Sequence, residues 1–261
     1  MSRDGIGRTT AVAWTTLRAS FTGTRAIGLA GVALLFPLLV AGLASAHLAH
    51  LDLPGTAETL FSSLFLPILL LLVTLVLGVG LFRTELEEDT LVYAMSRSVP
   101  RPALVVGKYA GLLGAGLLLL VPSVVLSDAL ATGLGPGPNA STAPALSALL
   151  TMTVLAVAAY GALFLFLGLL TRQALVIGLL IGFIWETFVP LLPGPLKVVT
   201  VIYYLRTVGA RLVDTGPLSV APSGLSLGVA AVVLAAFSAA VLAIAGALLR
   251  YVESRPGAAP S

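Results

Sequence analysis

The 25 residues at positions 146–170, LSALLTMTVLAVAAYGALFLFLGLL, contain no charged side chain. A helix needs roughly 20 apolar residues to cross the hydrocarbon core of a bilayer, so this run is long enough to span it. The whole chain has a matching composition, because 58% of its 261 residues are hydrophobic and only 10% are charged. A soluble domain carries about 25% charged residues. The sequence therefore predicts an integral membrane protein.

Similar uncharged or nearly uncharged runs lie on both sides of this segment. We predict an all-α transmembrane domain that occupies residues 1–261 and has six spans. The spans are placed at about 26–46, 60–82, 109–131, 146–170, 174–192 and 224–249. Asp128 and Glu186 are the charged residues inside these runs. Because charge inside a bilayer is costly, both are candidates for a functional role.

The distribution of basic residues predicts the orientation of the chain. With the N-terminus in the cytoplasm, only Lys197, Arg206 and Arg211 of the 14 basic residues fall outside. Cytoplasmic loops carry the excess of Lys and Arg in membrane proteins. We therefore expect a multi-pass protein of the plasma membrane with both termini in the cytoplasm.

Two segments are expected at the membrane interface. Residues 9–25 combine apolar and aromatic side chains with three flanking or embedded arginines, which is typical of a helix lying on the inner surface. Residues 185–222 alternate Pro and Gly with a short apolar run. Irregular backbone is tolerated at membrane depth only where protein or water satisfies it, so we predict re-entrant or outer capping helices there.

Several classes of site are absent from the sequence. There is no cysteine, and the Gly107-Lys108 pair lacks the preceding glycine and the following Ser or Thr of a phosphate-binding loop. No basic stripe favours nucleic acid. His47 and His50 lie beside Asp52, but three such groups at a membrane exit are more often hydrated, and no metal site is predicted. The sequence offers no catalytic residue, so we do not expect an enzyme.

The charged segment 84–101 separates the second and third predicted spans. Thr84 and Glu87 have the spacing of a capping box and predict the start of a short cytoplasmic helix. Leu91 and Met95 give that helix one apolar stripe. It is either a solvated loop helix or a helix that docks into a groove of a soluble partner.

This segment resembles the signature of type-2 ABC exporter permeases. Acidic residues after the second span are followed by Thr-Leu, Ser, Pro and Arg, and Gly-Lys opens the third span. Asp89 and Ser98 stand where the family usually has Gly and Pro. The matching positions are Glu85, Glu87, Thr90, Leu91, Ser96, Arg101, Gly107 and Lys108. The order of the predicted spans and interfacial helices is also similar to the layout of that family.

The resemblance implies an ATP-driven exporter in which two permease copies, identical or related, form the pathway with separate cytoplasmic ATPase subunits. ATP and Mg would bind to those partners, and this chain would hold no cofactor. Residues expected to couple to the ATPase are Glu85, Glu87, Glu88, Thr90, Leu91, Met95, Ser96, Arg97, Arg101 and Lys108. We expect Glu85 to pair with Lys108 or Arg101. Glu186, Lys197 and Arg206 are expected along the pathway or at its outer gate.

Two other functions are compatible with the residues. An ion-coupled carrier would use Asp128 and Glu186, and a membrane scaffold would bind partners without transport. The apolar spans suit a hydrophobic or amphipathic cargo, although a pathway for a polymer or peptide would look the same. Gly107 with Gly111, and Gly178 with Gly182, have the spacing that lets helices approach closely, a pattern that a chain with 27 glycines also produces by chance.

Overall fold

The computed structural model describes residues 3–45, 53–87, 101–133, 142–171, 173–192, 195–213, 217–219 and 224–253. Every regular element in these ranges is helical. The main helices are α1 (Arg3–Ser20), α2 (Thr24–Ser45), α3 (53–87, in the consecutive pieces Leu53–Leu60, Phe61–Leu70 and Leu71–Glu87), α4 (Arg101–Gly133), α5 (Thr142–Leu170), α6 (Ala174–Phe188), α7 (Val201–Leu212) and α8 (Leu227–Glu253). The 3₁₀ turns are Val189–Leu191, Pro195–Val199 and Pro217–Ser219.

Five helices in the described part of the chain are long and apolar enough to cross a membrane, namely α2, α3, α4, α5 and α8. The prediction of an all-helical membrane protein is therefore confirmed. The run predicted as a fifth span, 174–192, contains the shorter apolar helix α6. An α-helix rises 1.5 Å per residue, so the 15 residues of α6 cover about 23 Å of a hydrocarbon core about 30 Å thick.

The helices differ in how deeply they lie in the bundle. In the apolar windows of α3 and α5, 67% and 61% of the residues are buried, against 28% for α2 and 22% for α8. α3 and α5 therefore form the centre, and α2 and α8 lie at the periphery. The exposed Leu and Val side chains of the peripheral helices suit contact with lipid tails, which are as apolar as they are.

Proline interrupts the regular hydrogen bonding of α3 and α4. Pro67 is buried within the π-helical stretch Phe61–Leu70 of α3, and Pro122 lies inside α4. A proline lacks the backbone N–H and crowds the preceding turn, so helices bend or widen where it occurs. Beside Pro122, the Ser123 hydroxyl donates a hydrogen bond to the Ala33 carbonyl of α2.

An aromatic cluster joins α2 to α3. The ring centroid of Phe36 lies 4.8 Å from that of Phe65, which in turn lies 5.1 Å from that of Phe61. All three side chains are at most 1% exposed. Tilted and offset rings at such distances add to the stabilisation that burial provides.

Helix α1 packs across α4 on three glycines. A Cβ built on Gly111 would lie 2.6 Å from Thr16 Cβ and 2.7 Å from the Ala13 carbonyl oxygen. A Cβ on Gly107 would lie 2.9 Å from Val12 Cβ, and one on Gly114 2.7 Å from a Leu17 methyl carbon. The Gly107 and Gly111 pair is therefore a true packing surface, because any larger residue would push α1 away from α4.

Other glycines bring α3 against α5 and α6. A Cβ on Gly78 of α3 would lie 2.7 Å from Phe164 Cβ, and one on Gly168 of α5 would lie 3.0 Å from Val79 Cα. The Gly178 and Gly182 pair of α6 faces side chains of α3, which fill the space that a Cβ would need. Both small-residue pairs noted in the sequence thus lie at helix contacts, as expected where close packing replaces the hydrophobic effect.

Three sequence-based boundaries differ from the structure. The second predicted span, 60–82, lies within the longer helix α3, which begins at Leu53. The interfacial helix predicted at 9–25 is the helix α1, which begins earlier and ends at Ser20 before a turn with Gly23 at φ 84°. The capping box predicted at Thr84 and Glu87 is wrong, because both residues continue α3 to its end at Glu87. The helix formed by the preceding apolar run continues through Thr84 and Glu87. These residues therefore form the end of a helix and not its start.

We expect Gly111→Ala to lower the free energy of unfolding by about 1–3 kcal/mol, because the added methyl group overpacks the contact with α1. The control is Gly31→Ala on α2, where nothing lies within 4 Å of the added Cβ. In that position alanine is neutral or stabilises the helix by up to about 1 kcal/mol. Thermal unfolding of both variants in detergent measures the difference, and equal melting temperatures would contradict the packing of α1 on α4.

Candidate functional site

Glu186 is the carboxylate most deeply placed in the described bundle, with 3% of its surface exposed. Its Oε2 accepts hydrogen bonds from the Tyr160 hydroxyl at 2.9 Å and from the Ile202 amide at 2.9 Å. Its Oε1 accepts one from the Val201 amide at 3.1 Å. The carboxylate therefore joins α5, α6 and the first turn of α7.

The local structure of α6 directs this side chain into the bundle. α6 contains the π-helical stretch Ile181–Trp185, and the Glu186 amide donates to the Ile181 carbonyl, one residue farther back than in an α-helix. The extra residue in the turn rotates the chain, so Trp185 is exposed while Glu186 is buried. Such π-bulges often occur at functional sites.

Glu186 replaces the missing N-cap of α7. Thr200 occupies the N-cap position with φ −96° and ψ 141°, but its side chain makes no capping hydrogen bond. Its hydroxyl donates instead to the Lys197 carbonyl at 2.7 Å. The first amides of a helix need acceptors and carry partial positive charge, so a carboxylate from another helix satisfies both requirements.

Tyr160 is the shared partner at this site, and sequence reasoning missed it. It is fully buried on α5, and its ring stacks with that of Phe164 at a centroid distance of 6.1 Å. The available signal was its position as the single phenol within the uncharged run 146–170. A buried tyrosine hydroxyl normally requires a hydrogen-bond partner, and in the structure that partner is Glu186.

Arg206 lies on α7, one turn after Ile202, and is close enough to Tyr160 to interact with it electrostatically. Its Nη2 donates to the Ser62 carbonyl of α3 at 3.3 Å. Its Nε is buried and has no hydrogen-bond partner among the described residues. Burial lowers the pKa of this guanidinium from its ordinary value. The structure thus brings Glu186 and Arg206, both predicted site residues, close to one tyrosine.

Lys197 lies before the start of α7. Its Nζ is 5.9 Å from the ring centroid of Tyr203, within the range of a cation–π contact. Lys197 therefore contacts Tyr203 of α7, whereas Arg206 of the same helix interacts with Tyr160. Both basic residues predicted at the outer gate are thus associated with α7. Lys197 contacts its first turn, and Arg206 lies farther along it.

Lys108 occupies the other candidate position, near the start of α4. It is 4% exposed, and its Nζ donates to the Leu81 carbonyl of α3 at 2.8 Å. The next residue, Tyr109, donates its hydroxyl proton to the Ala158 carbonyl of α5 at 2.9 Å. Adjacent side chains therefore attach α4 to both central helices.

The remaining predicted coupling residues lie at the edge of the described structure or outside it. Glu85 and Glu87 are in the last turn of α3, and Arg101 is the first residue of α4, but their side chains are outside the described part. The predicted pairing of Glu85 therefore stays a prediction. Residues that lie entirely outside the described ranges are Glu88, Thr90, Leu91, Met95, Ser96 and Arg97.

The other ionisable candidates are separate from this site. Asp128 is half-buried on α4, and no hydrogen bond joins it to Glu186 in the described structure. His47, His50 and Asp52 lie outside the described ranges. Among the residues that are described, no group of three or more His, Cys, Asp or Glu side chains is placed to hold a metal ion.

No known protein-family model matches the chain, and no curated protein matches it either. Its function is therefore inferred from its residues and their geometry. The two positions described above carry that inference. At the first position, Glu186 attaches α7 to the bundle. At the second, Lys108 attaches α4 to α3 near the charged segment 84–101.

We expect Glu186→Ala to destabilise the protein by about 3 kcal/mol, because two buried amides and a buried hydroxyl lose their acceptor. Tyr160→Phe removes one of these bonds and should cost about 1 kcal/mol. Thermal unfolding gives the size of the effect, and hydrogen exchange of residues 201–212 locates it. The expected result is faster exchange at the start of α7.

The neighbouring Thr187 offers a matched control. Its hydroxyl is buried without a hydrogen-bond partner in the described structure, so Thr187→Val should be neutral or slightly stabilising. Glu186→Gln keeps one carbonyl oxygen and should fall between the wild type and Glu186→Ala. Unchanged exchange in α7 for Glu186→Ala would show that the carboxylate does not hold that helix.

Proposed function

We propose that this chain is the membrane-spanning permease subunit of an ATP-driven transporter of the ABC type. In this proposal it works as an exporter, pairs with a second permease copy, and receives its energy from separate cytoplasmic ATPase subunits. The proposal rests on the resemblance of segment 84–101 and on one structural observation. That observation is the hydrogen bond from Lys108 to Leu81, which joins α3 and α4 near the two helix ends that border this segment in the sequence.

This hydrogen bond supports the proposal because it lies near the segment on which an ATPase partner would act. A partner that pushes on the segment between α3 and α4 acts on both helices at the ends that lie beside Lys108. Tyr109 continues the connection to α5 through the Ala158 carbonyl. A displacement at the docking segment would thus reach the two helices at the centre of the bundle.

The outer end of the bundle supplies the gate in this proposal. α7 is too short to cross a membrane and is held by buried hydrogen bonds to Glu186 and by the partly buried hydrogen bond from Arg206 to α3. The apolar helix α6, which carries Glu186, would complete a sixth crossing together with the turns that follow it. Movement of α3 would change the position of Ser62, the carbonyl partner of Arg206, and so loosen α7.

The first test is association with an ATPase. The chain is co-expressed with the ATPase encoded beside it, purified, and assayed for ATP hydrolysis in lipid with and without the permease. We expect a stable complex whose hydrolysis rate differs from that of the ATPase alone. Failure to associate with any candidate ATPase would favour an ion-coupled carrier or a scaffold instead.

The second test reverses one charge in the docking segment. Glu85→Lys should reduce permease-dependent ATP hydrolysis about fivefold, the effect of losing an interaction of about 1 kcal/mol. Glu253→Lys is the control, because Glu253 ends α8 just as Glu85 lies in the last turn of α3. Both variants should fold and purify normally. Equal coupling in the two variants would contradict a docking role for the segment.

A further inference from the structure

A cavity of about 460 Å³ lies between α1, α2, α3 and α4. Its size falls within the range of about 300–1,000 Å³ that is usual for small-molecule sites. The residues of its wall that matter for binding are Ser20, Thr22, Arg25, Leu29, Val76 and Lys108. This cavity shares no lining residue with the site around Glu186 and has no residue of α7 in its wall.

The charge of the cavity wall has one sign. Among the described residues that line it, Arg25 and Lys108 are cationic and none is acidic. Lys108 is buried, whereas Arg25 is exposed at the start of α2. Arg25 Nη1 lies 3.5 Å from the place that a Cβ on Gly80 would occupy, so the guanidinium leans across α3. Two cations at one cavity favour an anionic ligand, and a phosphate group is the common partner of Arg and Lys.

Hydroxyl groups of α1 and of the turn that follows it form the polar side of the cavity. Ser20 donates its proton to the Thr16 carbonyl, and Thr22 donates to the Ala19 carbonyl, both at 2.9 Å. Thr15 likewise donates to carbonyls of its own helix. Because their protons are used in this way, the hydroxyl oxygens present lone pairs to the cavity. They are suited to accept hydrogen bonds from hydroxyl groups that accompany the phosphate.

The remaining wall is apolar and belongs to membrane-spanning helices. Leu29 lies in the span that begins at Arg25, and Val76 and Leu77 lie in α3. On the outer side of α1, Trp14 is 65% exposed, which is typical of an aromatic residue at the membrane interface. The ligand that fits therefore has an anionic, hydroxyl-bearing head and an apolar tail.

We propose that this cavity binds the headgroup of an anionic glycerophospholipid. The phosphate lies between Arg25 and Lys108, the headgroup hydroxyls face the Ser and Thr side chains of α1, and the acyl chain begins along Leu29 and Val76. This site goes beyond the proposed transport function and does not depend on it. Bound lipid would fix α1 against α3, because residues of both helices line the cavity.

The test uses the purified full-length chain in a neutral detergent, without any ATPase. Short-chain phosphatidylglycerol, short-chain phosphatidylcholine and inorganic phosphate are each titrated while the melting temperature is recorded. We expect a saturable increase with phosphatidylglycerol that is absent with phosphatidylcholine. Inorganic phosphate should give a much smaller shift. An equal shift with inorganic phosphate would overturn the lipid assignment in favour of a free anion.

Two arginine variants distinguish lipid binding in this cavity from a general attraction of anionic lipid to the basic surface of α1. Arg25→Gln should weaken the apparent affinity for phosphatidylglycerol about fivefold, the effect expected for one cation at a membrane surface. Arg18→Gln is the control, because Arg18 is exposed on α1 but does not line the cavity. Equal losses in the two variants would overturn the site, as would full retention of binding in Arg25→Gln.

A third variant, Ser20→Val, keeps both cations and removes one hydroxyl of the cavity. It should retain phosphate-dependent binding and lower the preference for phosphatidylglycerol over a phosphatidic acid of the same chain length. An unchanged preference would contradict the placement of the headgroup hydroxyls against α1.

Discussion

The buried carboxylate of Glu186 meets a requirement that the membrane imposes on every helix in this protein. In hydrocarbon, backbone amides find no water, so the open end of a helix needs acceptors from the protein itself. α7 begins within the bundle and lacks a side-chain cap of its own. Glu186 supplies acceptors to its first two amides from the neighbouring helix. α7 packs on α5 and α8, and the hydrogen bonds from Glu186 allow its first turn to be buried there.

Glycine contacts provide the second constraint on the bundle. The close approaches at Gly78, Gly111 and Gly168 let helices meet nearly backbone to backbone. Lipid tails compete equally well for apolar side chains, so van der Waals contact at short distance is what favours one helix arrangement over another. The amphipathic helix α1 is held in this way along α4, and its position then closes the cavity that contains Arg25 and Lys108.

The sequence predicted the parts of the fold that depend on hydropathy alone. Runs such as 146–170 are visible because a membrane-spanning helix satisfies its own backbone and needs only apolar side chains. The helix α1 was predictable from its arginines and aromatic residues. The capping box at Thr84 was not a reliable signal, since the same residues occur where an apolar helix simply continues. For Gly107 and Gly111, the spacing was visible but the partner was not.

The candidate site was predictable only in part. Glu186 was identified because a charge in an apolar run is costly, but its partners lie on α5 and α7, and no spacing in the sequence connects them. The π-helical turn that buries Glu186 leaves no pattern in the sequence, because it depends on one extra residue in one turn. Tyr160 was overlooked since a single phenol among apolar residues is also common in an ordinary core. Long-range hydrogen bonds of this kind become visible only in three dimensions.

Pro122 divides α4 into two arms of unequal length. The arm from 101 to 121 is about 32 Å long at 1.5 Å per residue, so a bend of only 5° at the proline moves its far end by about 3 Å. Ser123, next to the proline, is fastened to α2 and keeps the short arm in place. Lys108 is about 21 Å from the proline and would move by about 2 Å in the same bend, which is enough to stretch its hydrogen bond to Leu81 beyond the usual range. A small change of angle at Pro122 is therefore amplified at the end of α4 that precedes Lys108.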